Sequence, residues 1–135
     1  MVAQEETLVI VKPDAVKRGL VGEILTRLQR KSLRIAEMRL LRVDRELAER
    51  LYVEHREKAF FSELVDFITS GDVVVARISG ESAIPVVRGL MGATDPAEAA
   101  PGTIRGDFGL VITQNLVHGS DSPESAKREL DLFFA

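Results

Sequence analysis

Apolar positions along this chain fall into unbroken runs and into runs at helical spacing. Thr7 to Val11 and Val73 to Ile78 are continuous and rich in β-branched residues, which predicts two central strands covered on both faces. Lys12-Pro13-Asp14 ends the first, because proline has no N–H for a ladder, so a lysine directly follows a central strand. Val21, Ile24, Leu25 and Leu28 recur at helical spacing with Glu23, Arg27 and Arg30 opposite, predicting an amphipathic helix of about two to three turns. Leu33 to Val43 alternates in its second half, with Ala36, Met38 and Leu40 on one side and Glu37 and Arg39 on the other, the pattern of a half-exposed strand. Asp44 is the expected N-cap of a short helix through Glu54, and Lys58 to Ser62 opens another that stops at Gly71. Ile84, Val87, Leu90 and Met91 form the stripe of a further helix with Pro85 in its first turn. Thr94-Asp95-Pro96-Ala97-Glu98 carries a helix-start signature, and Ala99 to Gly106 reads as a loop. Leu110 to Ile112 and Leu116-Val117 predict a buried approach to His118, and Ser122-Pro123 begins a last helix with Ala126, Leu130 and Phe133 or Phe134 inward.

With the insertions set aside, the order is βαββαβ, a ferredoxin-like α+β sandwich: a four-stranded antiparallel sheet with helices on one face, plus inserted helices and a loop. The sheet's other face needs cover too, from oligomerisation or from the inserted helices. All 135 residues read as one domain. Absence of cysteine removes thiolate metal sites and cysteine nucleophiles, and two histidines far apart in sequence argue against zinc. No apolar run approaches the ~20 residues of a membrane span, and the N-terminus is acidic where a signal peptide would be basic, so a cytoplasmic location is expected. A net charge of −3 exerts no global pull toward nucleic acid or anionic membrane, so any phosphate binding must be local.

Candidate chemistry concentrates in Asn115-Leu116-Val117-His118-Gly119-Ser120-Asp121-Ser122. A neutral imidazole where a rigid element meets a turn is a competent phosphoryl acceptor, and equally it is what a histidine satisfied by turn hydroxyls would look like. Lys12, Arg88 and Arg105 are cations near loops, with Thr94 as a hydroxyl donor, and arginines converging on a developing charge are what phosphoryl transfer requires. Arg105 stands out because flanking glycines free its backbone and leave room for a ligand. No phosphate-loop or dinucleotide-binding glycine motif occurs. Phe60-Phe61 offers either a stacking platform for a base or a core aromatic, and Gly19-Leu20-Val21-Gly22 offers a weak backbone clamp for nucleic acid.

These residues closely resemble the nucleoside diphosphate kinase family, in its shorter, bacterial-like form. The likeness rests on Lys12-Pro13-Asp14, Arg18 to Ile24, Phe60-Phe61, Ser70-Gly71, Arg88, Met91 to Pro96, Pro101 to Phe108 and Asn115 to Ser122, and runs from about Glu6 to Phe133. The resemblance implies ping-pong transfer of the γ-phosphate of a nucleoside triphosphate to a nucleoside diphosphate through a phosphohistidine at His118. It places Glu129 on the other ring nitrogen and Ser120 in support. Lys12, Tyr52, Arg88, Thr94 and Arg105 would surround the phosphates, Phe60, Leu64 and Ile112 the base, and Lys12 and Asn115 the ribose hydroxyls. Mg²⁺ would ride on the nucleotide's phosphates, reached through water by Asp121, with no direct protein ligand. Base discrimination would be weak. A homo-oligomer is implied, with the Pro101 loop favouring a hexamer over a tetramer. Ala59 and Asp72 stand where the family usually has proline, a loosening of about 0.4–1 kcal/mol each. Two other readings use the same residues: a phosphohistidine protein that donates to a protein partner, and a nucleic-acid-binding module built on Gly19 to Gly22.

Overall fold

The computed structural model describes residues 4–134. Four strands, β1 (Gln4–Val11), β2 (Arg34–Arg42), β3 (Asp72–Glu81) and β4 (Val117–Gly119), form one sheet in the order β2-β3-β1-β4, with every neighbouring pair antiparallel. Among the described residues six helices connect them, α1 (Pro13–Lys17), α2 (Val21–Arg30), α3 (Arg45–Leu51), α4 (Phe61–Ile68), α5 (Ala83–Met91) and α6 (Ile104–Phe108), with a single 3-10 turn at Val53–His55, and α7 (Pro123–Phe134) follows β4. The βαββαβ frame is β1-α2-β2-β3-α5-β4, as expected.

The unbroken apolar runs have a direct cause. Alternate residues of a strand point to opposite faces, so Val9 and Val11 of β1, with Val74, Ala76 and Ile78 of β3, enter a core with Ile24, Leu28, Val87 and Met91 of α2 and α5. Their neighbours Leu8, Ile10, Val73 and Val75 enter a second core with Ala48 and Leu51 of α3, Val65 and Ile68 of α4, and Leu130 and Phe133 of α7. Helices therefore lie on both faces. The inserted α3 and α4, together with α7, supply the cover that the sequence left open between insertions and oligomerisation.

Several local expectations are corrected. Pro13 does more than end β1: it occupies the first position of α1, where its missing N–H costs no hydrogen bond. Asp44 does cap α3, accepting from Leu47 N–H at 2.8 Å. Thr94 to Glu98 forms no helix. Asp95 instead closes a turn on Ala97 N–H at 3.0 Å, and the helix in this region is α6, capped by Thr103 on Gly106 N–H at 3.0 Å. Leu110, Val111 and Ile112 are 78%, 48% and 54% exposed, so they are no buried approach to His118. They form a surface turn, closed by Gln114 N–H on Val111 O at 3.1 Å. Met38 and Leu40, the apolar side of β2, are also exposed, on an edge strand whose register shifts between Ile35 and Glu37.

Candidate functional site

His118 is the middle residue of β4, which is only three residues long and pairs with the end of β1, His118 opposite Ile10. α5 packs directly behind it: a Cβ at Gly119 would fall 2.6 Å from Met91 Sδ, so only glycine lets the helix approach this close. Arg88 on the same helix donates to Gly119 O at 3.1 Å. The imidazole is thus fixed by strand pairing on one side and a helix on the other. His118 Nε2 lies 2.8 Å from Glu129 Oε1 on α7, and Ser120 Oγ donates to that same oxygen at 2.7 Å. Burial pushes the Glu129 carboxyl up, but the hydrogen bond and charge of His118 and the hydroxyl of Ser120 outweigh it and hold Glu129 below the usual range. An ionised Glu129 accepts from an Nε2–H, which leaves Nδ1 with the lone pair. Among the described residues Nδ1 has no hydrogen-bond partner.

The ring lines a cavity of about 330 Å³ that also takes in Lys12, Tyr52, Phe60, Leu64, Arg88, Thr94, Arg105, Asn115, Asp121 and Glu129. Ile112 lines an adjoining cavity of about 700 Å³ that shares Lys12, Phe60, Leu64, Thr94 and Asn115 with the first. Every residue expected to surround a nucleotide therefore borders one or both of two cavities that share five wall residues. Ser120 is fully buried behind the first, bonded to Glu129 and to Leu8 N–H. Gly19-Leu20-Val21-Gly22 borders neither cavity and runs from the link after α1 into the first turn of α2.

Four cations line the first cavity, Lys12, Arg88, Arg105 and Arg128, and of these Lys12 and Arg105 are buried. Lys12 is buried and donates from Nζ to Asn115 Oδ1 at 2.9 Å. Its burial, and secondarily the neighbouring Arg105, bring its pKa down to about 8, against the pull of Asp14. Arg105 is almost wholly buried and donates to three main-chain carbonyls, from Nε to Asn115 at 3.0 Å and from its two terminal nitrogens to Gly92 at 3.0 Å and Val117 at 2.7 Å. Burial and Arg88 lower its pKa to about 10. The glycine beside it serves a different end from the one the sequence suggested: a Cβ at Gly106 would sit 2.0 Å from Ala100 O, so the glycine admits close packing of the loop and opens no ligand space. The loop is tied to α2 by Arg27, which bridges to Asp107 at 2.8 Å and donates to Gly102 O at 3.2 Å.

Phe60, half exposed, and Leu64 stand at the junction of the two cavities, with Lys58 Nζ 5.6 Å from the Phe60 ring centroid. Tyr52 is buried, its ring edge-on to His118 with centroids 6.5 Å apart, and burial followed by the charge of Glu129 raises its pKa. The cavity wall also includes three polar residues that sequence reasoning did not assign to the site: His55, Glu54 and Arg128. His55 packs between Tyr52 and Phe60, with ring centroids 6.3 and 5.6 Å away, and its buried Nδ1 has no partner among the described residues. Burial, then Lys58, lower its pKa, so this imidazole is neutral. Its spacing of three residues from Tyr52 was the available signal.

A family model described as nucleoside diphosphate kinase matches residues 5–135. A nucleoside diphosphate kinase of Rubrobacter xylanophilus is 65% identical over 130 residues, 96% of this chain and 98% of the relative. One of Archaeoglobus fulgidus is 63% identical over 131 residues, 97% of this chain and 87% of the relative. Among solved structures, a halophilic nucleoside diphosphate kinase from Halobacterium salinarum in complex with CDP superposes with a TM-score of 0.95 at 51% identity, covering 98% of this chain and 88% of that one. The Aquifex aeolicus nucleoside diphosphate kinase gives 0.95 at 44% identity, covering 98% and 96%. The chain belongs to the nucleoside diphosphate kinase family.

Proposed function

We propose that Nδ1 of His118 is the phosphoryl acceptor in the reaction that family membership gives this chain, the ping-pong transfer of a terminal phosphate from nucleoside triphosphate to nucleoside diphosphate. In the first half-reaction the Nδ1 lone pair forms the N–P bond while the P–O bond to the β-phosphate breaks, and nucleoside diphosphate leaves with the electron pair. In the second, a terminal oxygen of the acceptor diphosphate attacks the same phosphorus and nitrogen leaves. The observation that carries the assignment is the fixed Nε2–Glu129 contact at 2.8 Å, with Ser120 on the same oxygen, in a ring that lines the cation-rich cavity. Glu129 sets the tautomer and Ser120 orients Glu129.

Lys12, Arg88 and Arg105, with Thr94 and the Tyr52 phenol, surround the phosphates and neutralise charge as the group moves between oxygen and nitrogen. Phe60, Leu64 and Ile112 hold the base by stacking and contact alone, so all bases are accepted with little distinction. Lys12 and Asn115, already bonded to each other, meet the ribose hydroxyls. The Halobacterium salinarum relative was solved in complex with CDP, which supports a nucleotide ligand for this chain. The reaction needs a divalent cation, and Mg²⁺ is the ion proposed. The ion would be held by the nucleotide's own phosphates, with Asp121, which borders the cavity, placed to reach it through water. Bound there, the ion supplies charge neutralisation on the phosphates.

The chain is proposed to form one kinase domain over 1–135 and to act in the cytoplasm. Among the described residues no helix is long and apolar enough to cross a membrane. It is also proposed to assemble as a hexamer in preference to a tetramer. Exposed Met38 and Leu40 on an edge strand, and Leu110 and Val111 on the loop side, are surfaces that copies of the chain would cover. Sedimentation should give six times the 14.9 kDa chain mass, and four times would remove the hexamer.

The test of function is to incubate the protein with γ-labelled ATP and Mg²⁺ without acceptor, then to chase with GDP. Acid-labile, base-stable label at His118 that leaves rapidly as GTP is the expected result. Label that resists GDP would make the chain a donor to some other acceptor.

A pH dependence follows from Lys12. Its pKa of about 8 leaves the ammonium charged below that pH and neutral above it. Bound phosphate favours the charged form, so nucleoside diphosphate affinity should fall by up to roughly tenfold per pH unit above about 8, with proton uptake on binding there. Calorimetric titration should find both effects in the native protein and neither in Lys12→Gln. For stability the sign is opposite. Between about 8 and 10.5 the unfolded chain holds the proton more tightly than the folded one, so Lys12 opposes folding at neutral pH and ceases to as pH rises through that window.

A further inference from the structure

The backbone turns sharply just before the strand that carries His118. Val117 N–H donates to Asn115 O at 2.8 Å, and Leu116 between them has φ +75°, which makes a γ-turn of the strained, positive-φ hand. Of the other non-glycine residues with positive φ among those described, Ser32 and Ser82 are small and polar, whereas Leu116 is a fully buried aliphatic side chain. Such a conformation persists only where its surroundings force it. The flanking carbonyls are held by Arg105, and Leu116 O accepts from Lys12 N–H at 2.9 Å. The N–H of Leu116 itself is held by one group, Asp14 Oδ2 on α1, at 3.2 Å across 102 positions of sequence. Asp14 is buried, and its second oxygen has no partner among the described residues. Burying a half-satisfied carboxylate is unfavourable for folding, and against that cost stands its attraction for the buried Lys12 ammonium.

We propose that Asp14 is a positioning residue for phosphoryl transfer: its carboxylate clamps the γ-turn at Leu116 and so sets where Asn115 and His118 sit. Asn115 and His118 lie on either side of this turn, one bonded to Lys12 Nζ and the other to Glu129. Releasing the turn lets the imidazole drift while the cations that bind phosphate remain. The proposal rests on His118 being the acceptor.

The test is steady-state exchange and single-turnover labelling of the full-length protein and its Asp14→Ala, Asp14→Ser and Asp14→Asn variants. Misplacement of a reacting group by about 1 Å lowers rate on the order of 10²-fold. That loss is expected in kcat for Asp14→Ala and for Asp14→Ser, whose hydroxyl is too short to reach Leu116 N–H, with KM for nucleoside diphosphate kept within about threefold. Asp14→Asn retains an acceptor oxygen and should keep kcat within about threefold of the native protein. Glycine takes φ +75° without strain, so in a Leu116→Gly background the further loss from Asp14→Ala should shrink below about threefold. An Asp14→Asn variant as slow as Asp14→Ala, strict additivity with Leu116→Gly, or a loss that falls on KM would overturn the proposal. Should Asp14→Ala fail to fold, Asp14→Ser and Asp14→Asn decide it by the same two readouts. Native protein that takes no label would sink the role of His118 instead, whereas labelled native protein with all Asp14 variants at full rate would sink the clamp alone.

Discussion

A His118→Ala variant is expected to exchange phosphate slower by a factor on the order of 10⁴ or more while binding nucleoside diphosphate about as well as the native protein. The reason lies in what else the cavity holds. The chain has no cysteine, the Tyr52 phenol is buried with a raised pKa and so stays protonated, and Lys12 is bonded to Asn115. The one remaining imidazole, His55, is neutral but has its Nδ1 buried against the wall. Binding should survive because Lys12, Arg88 and Arg105 are all anchored by contacts that do not pass through the His118 ring. The variant also exposes what His118 does for Glu129. Without its hydrogen bond and charge, the carboxyl loses the main influence that offsets burial, so its pKa should rise and the stability it lends above its unfolded pKa should be lost at higher pH than in the native protein. Stopped-flow exchange and direct titration of nucleoside diphosphate check both halves. Exchange that persists in His118→Ala and vanishes only when His55 is also replaced would move the nucleophile to His55.

The parts of this structure that could be read from sequence are those in which one residue's local chemistry decides. Continuous apolar runs such as Val73 to Ile78 mean a strand with two covered faces wherever they occur, and Asp44 before Leu47 caps a helix without reference to anything distant. Leu110 to Ile112 misled because hydrophobicity alone does not say which side of a chain faces inward. These residues lie between Gly109 and the turn at Gln114, with no strand or helix to orient them, and Ile112 borders the cavity suited to a base. The candidate site was drawn from residue types, and resemblance to a known family assigned their proposed roles. What no pattern held was the long-range bookkeeping of hydrogen bonds. Asp14 on Leu116, Ser120 on Glu129 and Arg105 on three carbonyls join residues whose partners depend on how the sheet closes. His55 went unread for the same reason, since its place beside Tyr52 and Phe60 follows from the 3-10 turn that interrupts the helical pattern.

Arg105 is where that bookkeeping changes an expectation most. As a loop cation between glycines it suggested a residue whose loss would act mainly on phosphoryl transfer. Its three bonds to Asn115, Gly92 and Val117 make it a structural tie as well, joining the end of α5, α6 and both sides of the Leu116 turn. Hydrogen bonds from a charged donor are worth about 1.5–3 kcal/mol each and are not additive here, because one guanidinium makes all three and its burial opposes them, as its lowered pKa records. Arg105→Ala removes a charged donor from three carbonyls, of which Asn115 O keeps the Val117 N–H, and a net loss of about 3 kcal/mol is expected. For a chain of this size that is a fall in Tm of roughly 10 °C. Exchange should drop by a further 10²–10³-fold, roughly the effect of losing one preorganised donor, on protein still folded at the assay temperature. Arg105→Lys separates the two roles. A single ammonium keeps a positive charge near the phosphates but cannot span three carbonyls in one plane, so it should recover nucleotide affinity and little of the lost Tm. Thermal melts alongside exchange rates decide the matter: an Arg105→Ala protein that melts with the native one and merely turns over slowly would return Arg105 to a purely phosphate-facing role.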